Sequence, residues 1–306
     1  MTPATAAPVN VPTEPVVVTA RDGRTLAGLY LEARPARGAL TVNGATGFPR
    51  EFYLKFASYC AQRGYHALVY DYRGMGVSAT APLATEPARM SDWGRLDMPA
   101  ALAWLEERCP DLPLVTVGHS VGGQLIGCMY NQAAARAHLM LATSIGYWRY
   151  QRVPFRYLAL LFWKLYGPLE LTLRGYVPRG ALWRGDPLPA GVFLEWRKWC
   201  LRPEHFAPDF IGTDPAGPDL AGGGRGNPFA SVHAPVLSWS FSDDPIATPR
   251  AVEALLALYP NAAIERRCTT PAEAGVRAIG HHGFFAERHR GTLWRAALDW
   301  IDARCG

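Results

Sequence analysis

Lysine is nearly missing from the 306-residue chain: three of its 31 basic residues are Lys and the rest are Arg. Acidic residues number 26, so the formal charge is only +5. No run of basic residues gathers into a patch, which excludes a nucleic-acid footprint. The six cysteines, at 60, 109, 128, 200, 268 and 305, never come within ten residues of one another. That spacing excludes zinc knuckles and C-x-x-C redox pairs, and reads as scattered buried thiols in a reducing compartment. There is no Gly-x-y repeat and no sustained heptad. No apolar run approaches the roughly 20 residues of a membrane span. The first residues are rich in Ala, Pro and Thr, with no basic residue before Arg21 and no apolar stretch, unlike a secretory signal. A soluble, cytoplasmic protein is expected, with an N-terminal segment, 1–14, that is flexible.

What is present is core-forming material: 49% hydrophobic and 19% charged residues, an ordinary globular balance. Short apolar runs alternate with helical patterns, which predicts a mostly parallel sheet flanked by helices. Strands are expected near Val16–Thr19, Leu26–Glu32, Ala39–Val42, Ala67–Tyr70, Leu114–Val117, Leu139–Thr143, Val236–Phe241 and Ile264–Cys268. Helices are expected near Arg50–Arg63, Ser91–Arg108, Val121–Ala135, Arg250–Tyr259 and Gly291–Arg304, with Ser91 as an N-cap. The block 146–215 breaks the alternation. It shows no convincing strand, holds five of the ten tryptophans, and carries ten basic against six acidic residues. It reads as a helical cap inserted after the sixth strand, returning through a Gly/Pro-rich linker, 216–229, to a core made of 15–145 and 230–306.

The sharpest chemical signal is Gly118-His119-Ser120-Val121-Gly122-Gly123. It sits between an apolar strand and a helical pattern. A tight turn there needs positions without side chains, as Gly118 and Gly122 provide, and would lift the Ser120 hydroxyl above the carboxyl end of the strand. A serine hydroxyl needs a base. Ile279-Gly280-His281-His282-Gly283 follows the last strand and can reach the same edge; His281 is taken as the base and His282 is its rival, while His119 reads as structural. The base needs an orienting carboxylate. Phe241-Ser242-Asp243-Asp244-Pro245 ends a strand at that edge, with Asp244 preferred over Asp243.

With these residues in the order Ser, Asp, His, the chain resembles the α/β-hydrolase superfamily, in its esterase/lipase and serine-aminopeptidase-like branch, and is similar to predicted bacterial hydrolases. Asp71-Tyr72-Arg73-Gly74-Met75-Gly76-Val77-Ser78 resembles the D-x-R-G-x-G-x-S turn after the fourth strand. The resemblance implies an eight-stranded, mostly parallel sheet. It implies that the acid lies three residues beyond Phe241, which favours Asp244. The third strand of the family usually ends in His-Gly; here it reads Asn43-Gly44-Ala45-Thr46-Gly47. By resemblance the backbone N–H groups of Ala45 and Val121 form the oxyanion hole, with Thr46 as the alternate to Ala45. The expected activity is cleavage of carboxylic esters of apolar acyl groups, with no cofactor or metal. The alternatives are an acyltransferase or thioesterase with the same three residues, or a low-turnover binding protein. In the cap, Phe155, Leu158 and Phe162 are expected to line an acyl pocket. The expected partner is a small acyl substrate.

Overall fold

The computed structural model describes residues 11–212 and 226–305. Eight strands form one sheet in the order β1-β2-β4-β3-β5-β6-β9-β10. In chain order β1 is Thr13–Thr19, β2 Thr25–Leu31, β3 Gly38–Asn43, β4 Tyr65–Tyr70, β5 Leu114–His119 and β6 Ala135–Leu141. After a two-stranded ribbon, β7 (Tyr176–Val177) and β8 (Leu188–Pro189), follow β9 (Val236–Phe241) and β10 (Ile264–Thr269). β1 and β2 run antiparallel to their neighbours and the remaining pairs are parallel. This is the sheet that the sequence leads one to expect.

The central strands are buried on both faces. Every residue of β3, β4 and β5 is buried, which is why those segments read as largely apolar runs rather than alternating ones. One face is covered by the helices Leu54–Gln62 and Leu293–Cys305, with Phe56, Tyr59 and Trp294 packed over Val115 and Val117. The other is covered by Met98–Arg108 together with Trp93, Leu125 and Phe229. Strand register sets which strand ends meet. Asn43 pairs with Gly118, His119 with Leu141, and Leu141 with Trp239. The carboxyl ends of β3, β5, β6 and β9 therefore lie side by side, where ligands bind in open parallel sheets.

Several elements depart from the sequence expectation. The helix expected over Val121–Ala135 is only Val121–Gln124, followed by single 3-10 turns. Gly122, Gly123 and Gly127 are there for close approach, not helix formation, and the helix ends at Leu125 (φ −92°, ψ 2°). Ser91 is not an N-cap. Arg89 holds that position, its N–H bonded to the Asp92 carboxylate at 3.0 Å, and Ser91 donates from both N–H and hydroxyl to Glu195. A π turn, Trp93–Asp97, joins this start to Met98–Arg108. The block after β6 does contain strands, β7 and β8, but at two residues each they leave no periodicity to read. Its helices are Phe155–Leu161, a π turn Phe162–Tyr166, Gly167–Arg174, Ala190–Cys200 and Ala207–Phe210. Its buried side chains, Phe162, Trp163, Phe193 and Trp199 among them, are continuous with the sheet core. The N-terminal segment enters β1 by Thr13, and residues 1–10 lie outside the described part. Of the linker, 216–225 lies outside it as well; Asn227–Phe229 is ordered by a 3-10 turn that buries Phe229. Four cysteines are buried as expected, Cys305 is partly so, and Cys268 is exposed. Among the described residues no helix is long and apolar enough to cross a membrane.

Candidate active site

Ser120 occupies the turn between β5 and the short helix that starts at Val121. Its backbone, φ 52° and ψ −114°, lies in a region that non-glycine residues rarely enter. Only small neighbours permit the turn. A Cβ on Gly118 would sit 2.5 Å from the Gly123 backbone, and one on Gly122 2.1 Å from the Asn43 carbonyl oxygen. Gly123, not singled out from sequence, is equally constrained: its Cβ would meet Thr143 Oγ1 at 2.2 Å. The strain is held by packing, as at many functional sites.

Three side chains meet above this turn. His281 Nε2 lies 2.9 Å from Ser120 Oγ, and His281 Nδ1 lies 2.7 Å from Asp244 Oδ2. Asp244 is buried, and its other oxygen accepts the N–H groups of Ile246 (2.7 Å) and Ala247 (3.0 Å). Burial pushes its pKa up, but His281 and these N–H groups outweigh burial and leave it below the usual carboxylate value. The rivals take other places. Asp243 accepts the backbone N–H groups of Ile279 (2.8 Å) and Gly280 (3.0 Å), and so fastens the loop that carries His281. His282 is exposed and rests against Phe48, with ring centres 4.4 Å apart.

His119 belongs to a second chain of hydrogen bonds beneath the first. Its Nε2 faces the His281 carbonyl oxygen at 2.9 Å, so Nε2 carries the proton. Nδ1 is then an acceptor, and it takes the Tyr53 hydroxyl at 3.0 Å. The Tyr53 oxygen accepts the Ala45 N–H at 2.7 Å. Burial, then the neighbouring His282 and His281, hold the His119 pKa well below 6.5, so it stays neutral. This arrangement corrects the expectation for Ala45: its N–H is already engaged by Tyr53. Among the described residues nothing accepts the N–H of Thr46, the alternate. Val121 opens a helix, where the N–H has no carbonyl one turn earlier to bond.

The nitrogens of His119, His281 and His282 lie within 4.8 Å of one another. His281 and His119 have both ring nitrogens occupied by the contacts above, which leaves His282 alone of the three to offer a ligand atom, too few to hold a metal. The Asp71–Ser78 turn is a brace. The Asp71 carboxylate accepts N–H groups from Arg50 and Val77, and Arg73 pairs with buried Asp97 at 2.7 Å and with Asp22.

The inserted block meets the loop after β3 and the loop after β9. Phe162 is buried in the block's own aromatic cluster, stacked on Trp183 and edge-on to Trp163 and Phe193. Leu158 exposes half its surface and Phe155 is partly buried. Trp183 packs against Gly47 in the loop after β3. A Cβ on Gly47 would meet its ring at 2.4 Å, and the Gly47 carbonyl accepts the Asp186 N–H at 2.8 Å. Trp183 Nε1 donates in turn to the Asp186 carbonyl at 2.7 Å. At the other side Arg152 donates to the carbonyls of Pro245 and Ser242, gripping the Asp244 loop. A pocket of about 430 Å³ lies at the opposite end of β5 and β6, near Cys109, Arg136 and Arg304, away from this constellation.

A family model described as alpha/beta hydrolase family matches residues 39–293. The chain belongs to the alpha/beta hydrolase family. No curated protein matches it. Among solved structures this hydrolase is similar to an esterase of Pyrococcus furiosus (15% identity, 99% of this chain and 97% of that one, TM-score 0.59). A soluble variant of monoglyceride lipase from Saccharomyces cerevisiae, in complex with a substrate analogue, is similar at 15% identity, 99% and 100% coverage and TM-score 0.62. A thermophilic esterase from Thermogutta terrifontis is similar at 16% identity, 96% and 100% coverage and TM-score 0.56. At these identities the likeness is one of fold.

Proposed function

We propose that this hydrolase cleaves carboxylic esters of apolar acyl groups through an acyl-enzyme. The observation that carries the reading is the unbroken chain Ser120–His281–Asp244, at 2.9 and 2.7 Å. Ser120 Oγ attacks the acyl carbonyl while His281 Nε2 takes its proton. Asp244 holds the imidazole in the right tautomer and stabilises the imidazolium. The carbonyl oxygen becomes an oxyanion, received by the N–H groups of Val121 and Thr46. Expulsion of the alcohol takes the proton back from His281. A water then yields a proton to His281, attacks the acyl-serine and releases the acid. Esterases and a monoglyceride lipase among the similar folds support an ester substrate, and the aromatic cover at Trp183 supports an apolar acyl group.

The test is direct. A fluorophosphonate should label Ser120, and Ser120→Ala should abolish both labelling and hydrolysis of p-nitrophenyl esters with its melting temperature nearly unchanged. Comparable hydrolysis by the alanine variant would refute the mechanism.

A further inference from the structure

Residues 155–174 form one nearly continuous helical rod: Phe155–Leu161, the π turn Phe162–Tyr166 and Gly167–Arg174. One side is seated. Phe162 and Trp163 are buried, and Gly167 lets the Phe193 ring approach so closely that a Cβ would lie 2.0 Å from it. The opposite side of a surface helix is ordinarily polar. Here it carries Leu161, Leu165, Leu169 and Leu173, at four-residue spacing, with Tyr157 beside them. Leu165 is 60%, Leu169 51% and Leu173 69% exposed. A four-residue spacing drifts around a helix of 3.6 residues per turn. A π turn, with more residues per turn, offsets that drift and keeps the leucines in line. An aligned apolar stripe of this kind on the surface marks an interaction site.

Charge identifies the partner. From 149 to 179 the chain carries Arg149, Arg152, Arg156, Lys164, Arg174 and Arg179 against the single acid Glu170. Glu170 is neutralised by Arg174 at 2.8 Å and Arg179 pairs with Asp186 at 2.8 Å, which leaves Arg149, Arg152, Arg156 and Lys164. Lys164 projects from the exposed side between Leu161 and Leu165, with no carboxylate partner among the described residues. A second protein copy would bring the same positive charge against itself. Leucines in line, fringed by cations and too few to span, are the pattern of a helix lying in the plane of an anionic lipid surface.

We propose that the outer face of helix 155–174 docks this protein on an anionic lipid bilayer, with the leucines among the acyl chains and the basic residues at the headgroups. The proposal does not depend on the Ser120 chemistry.

The test is flotation of the full chain with phosphatidylcholine vesicles, with and without phosphatidylglycerol. Binding is expected to the anionic vesicles and to weaken with salt. Leu165→Gln/Leu169→Gln/Leu173→Gln should lower partitioning at least about tenfold, and Lys164→Glu several-fold, because binding scales with buried apolar area and headgroup attraction. Both variants should keep the wild-type melting temperature and hydrolyse a water-soluble acetate ester within about twofold of wild type, the ordinary tolerance of exposed positions. Absence of wild-type binding to either vesicle overturns the proposal, as does equal binding by the triple variant. So does a dimer that the triple variant splits while vesicles stay unbound, which assigns the face to a second copy.

Discussion

Asp243 and Asp244 are adjacent, yet they hold different parts of the same loop, and that difference can be measured. Asp244 orients the imidazole through Nδ1. Its replacement by Asn presents an amide that favours the wrong tautomer, and a kcat loss of about 10⁴ is expected. Among the described residues Asp243 bonds to the backbone N–H groups of Ile279 and Gly280 alone. Each oxygen of Asp243 accepts one of these N–H groups, so Asp243→Asn keeps one acceptor and sets an NH2 against the other N–H; the expected effect is about 1–3 kcal/mol of stability with most activity retained. Equal kinetic losses in the two variants would remove the distinction. The histidines divide in the same way. His281→Ala should be as inactive as Ser120→Ala, since groups that act as a unit fail together, whereas His282→Ala, which removes a ring packed on Phe48, His119 and His281 but no hydrogen bond to the catalytic chain, should keep most activity. Tyr53 is a different kind of residue. Its hydroxyl closes the chain from Ala45 to His119, so Tyr53→Phe strands one buried donor and one buried acceptor. A loss of about 1–3 kcal/mol in urea unfolding is expected, with Ser120 still labelled by a fluorophosphonate. Unchanged stability would mean that the hydroxyl is not holding these groups.

Between elements, the inserted block meets the loop after β3 where Trp183 packs on Gly47. Trp183→Ala removes the ring from the loop that carries Thr46. It should change the acyl-chain-length profile of kcat/KM more than it changes turnover of an acetate ester. Phe162→Ala empties the packed aromatic cluster on which Trp183 stacks and should cost about 3–5 kcal/mol of stability. If Trp183→Ala slows every ester by one common factor, the acyl group binds elsewhere. The sequence carries no sign of this contact, because Trp183 and Gly47 are distant along the chain and the two-residue strands β7 and β8 that place Trp183 leave no pattern. The sheet is legible for the opposite reason: strands buried on both faces are written as largely apolar runs. Ser120 is legible because its backbone geometry demands glycines at fixed offsets. His281 and Asp244 can be narrowed to adjacent pairs by their place after strands, but the choice within each pair depends on which way a loop turns. The glycines of the elbow also mislead, since Gly122, Gly123 and Gly127 serve close packing where an unbroken helix is expected.

Across the whole molecule, buried neutral histidines tie stability to pH. His138 lies inside β6 between β5 and β9, its Nδ1 2.7 Å from Thr116 Oγ1. Burial lowers its pKa to about 4. His205 is lowered to about 3 by burial and Arg202, and His119 is also held well below its ordinary value. Each group binds a proton more readily when the chain is unfolded. Its contribution is therefore full above the unfolded value of 6.5 and is lost as pH falls toward the folded value. For one such group the slope approaches about 1.4 kcal/mol per pH unit. Buried carboxylates whose pKa is raised, such as Asp71 and Glu195, act in the opposite sense, so the summed curve conceals any single residue. A difference between two proteins does not. In His138→Gln the amide can still meet Thr116 but cannot titrate. Whatever gap in unfolding free energy separates wild type from variant at pH 7, it should shift against the wild type as pH falls from 6.5 to about 4.5. The shift should approach about 2 kcal/mol, because the wild type alone pays for keeping this imidazole neutral. Urea unfolding of both proteins across that range decides it. Parallel curves would mean that His138 is charged in the folded sheet, or that its proton is held equally in both states.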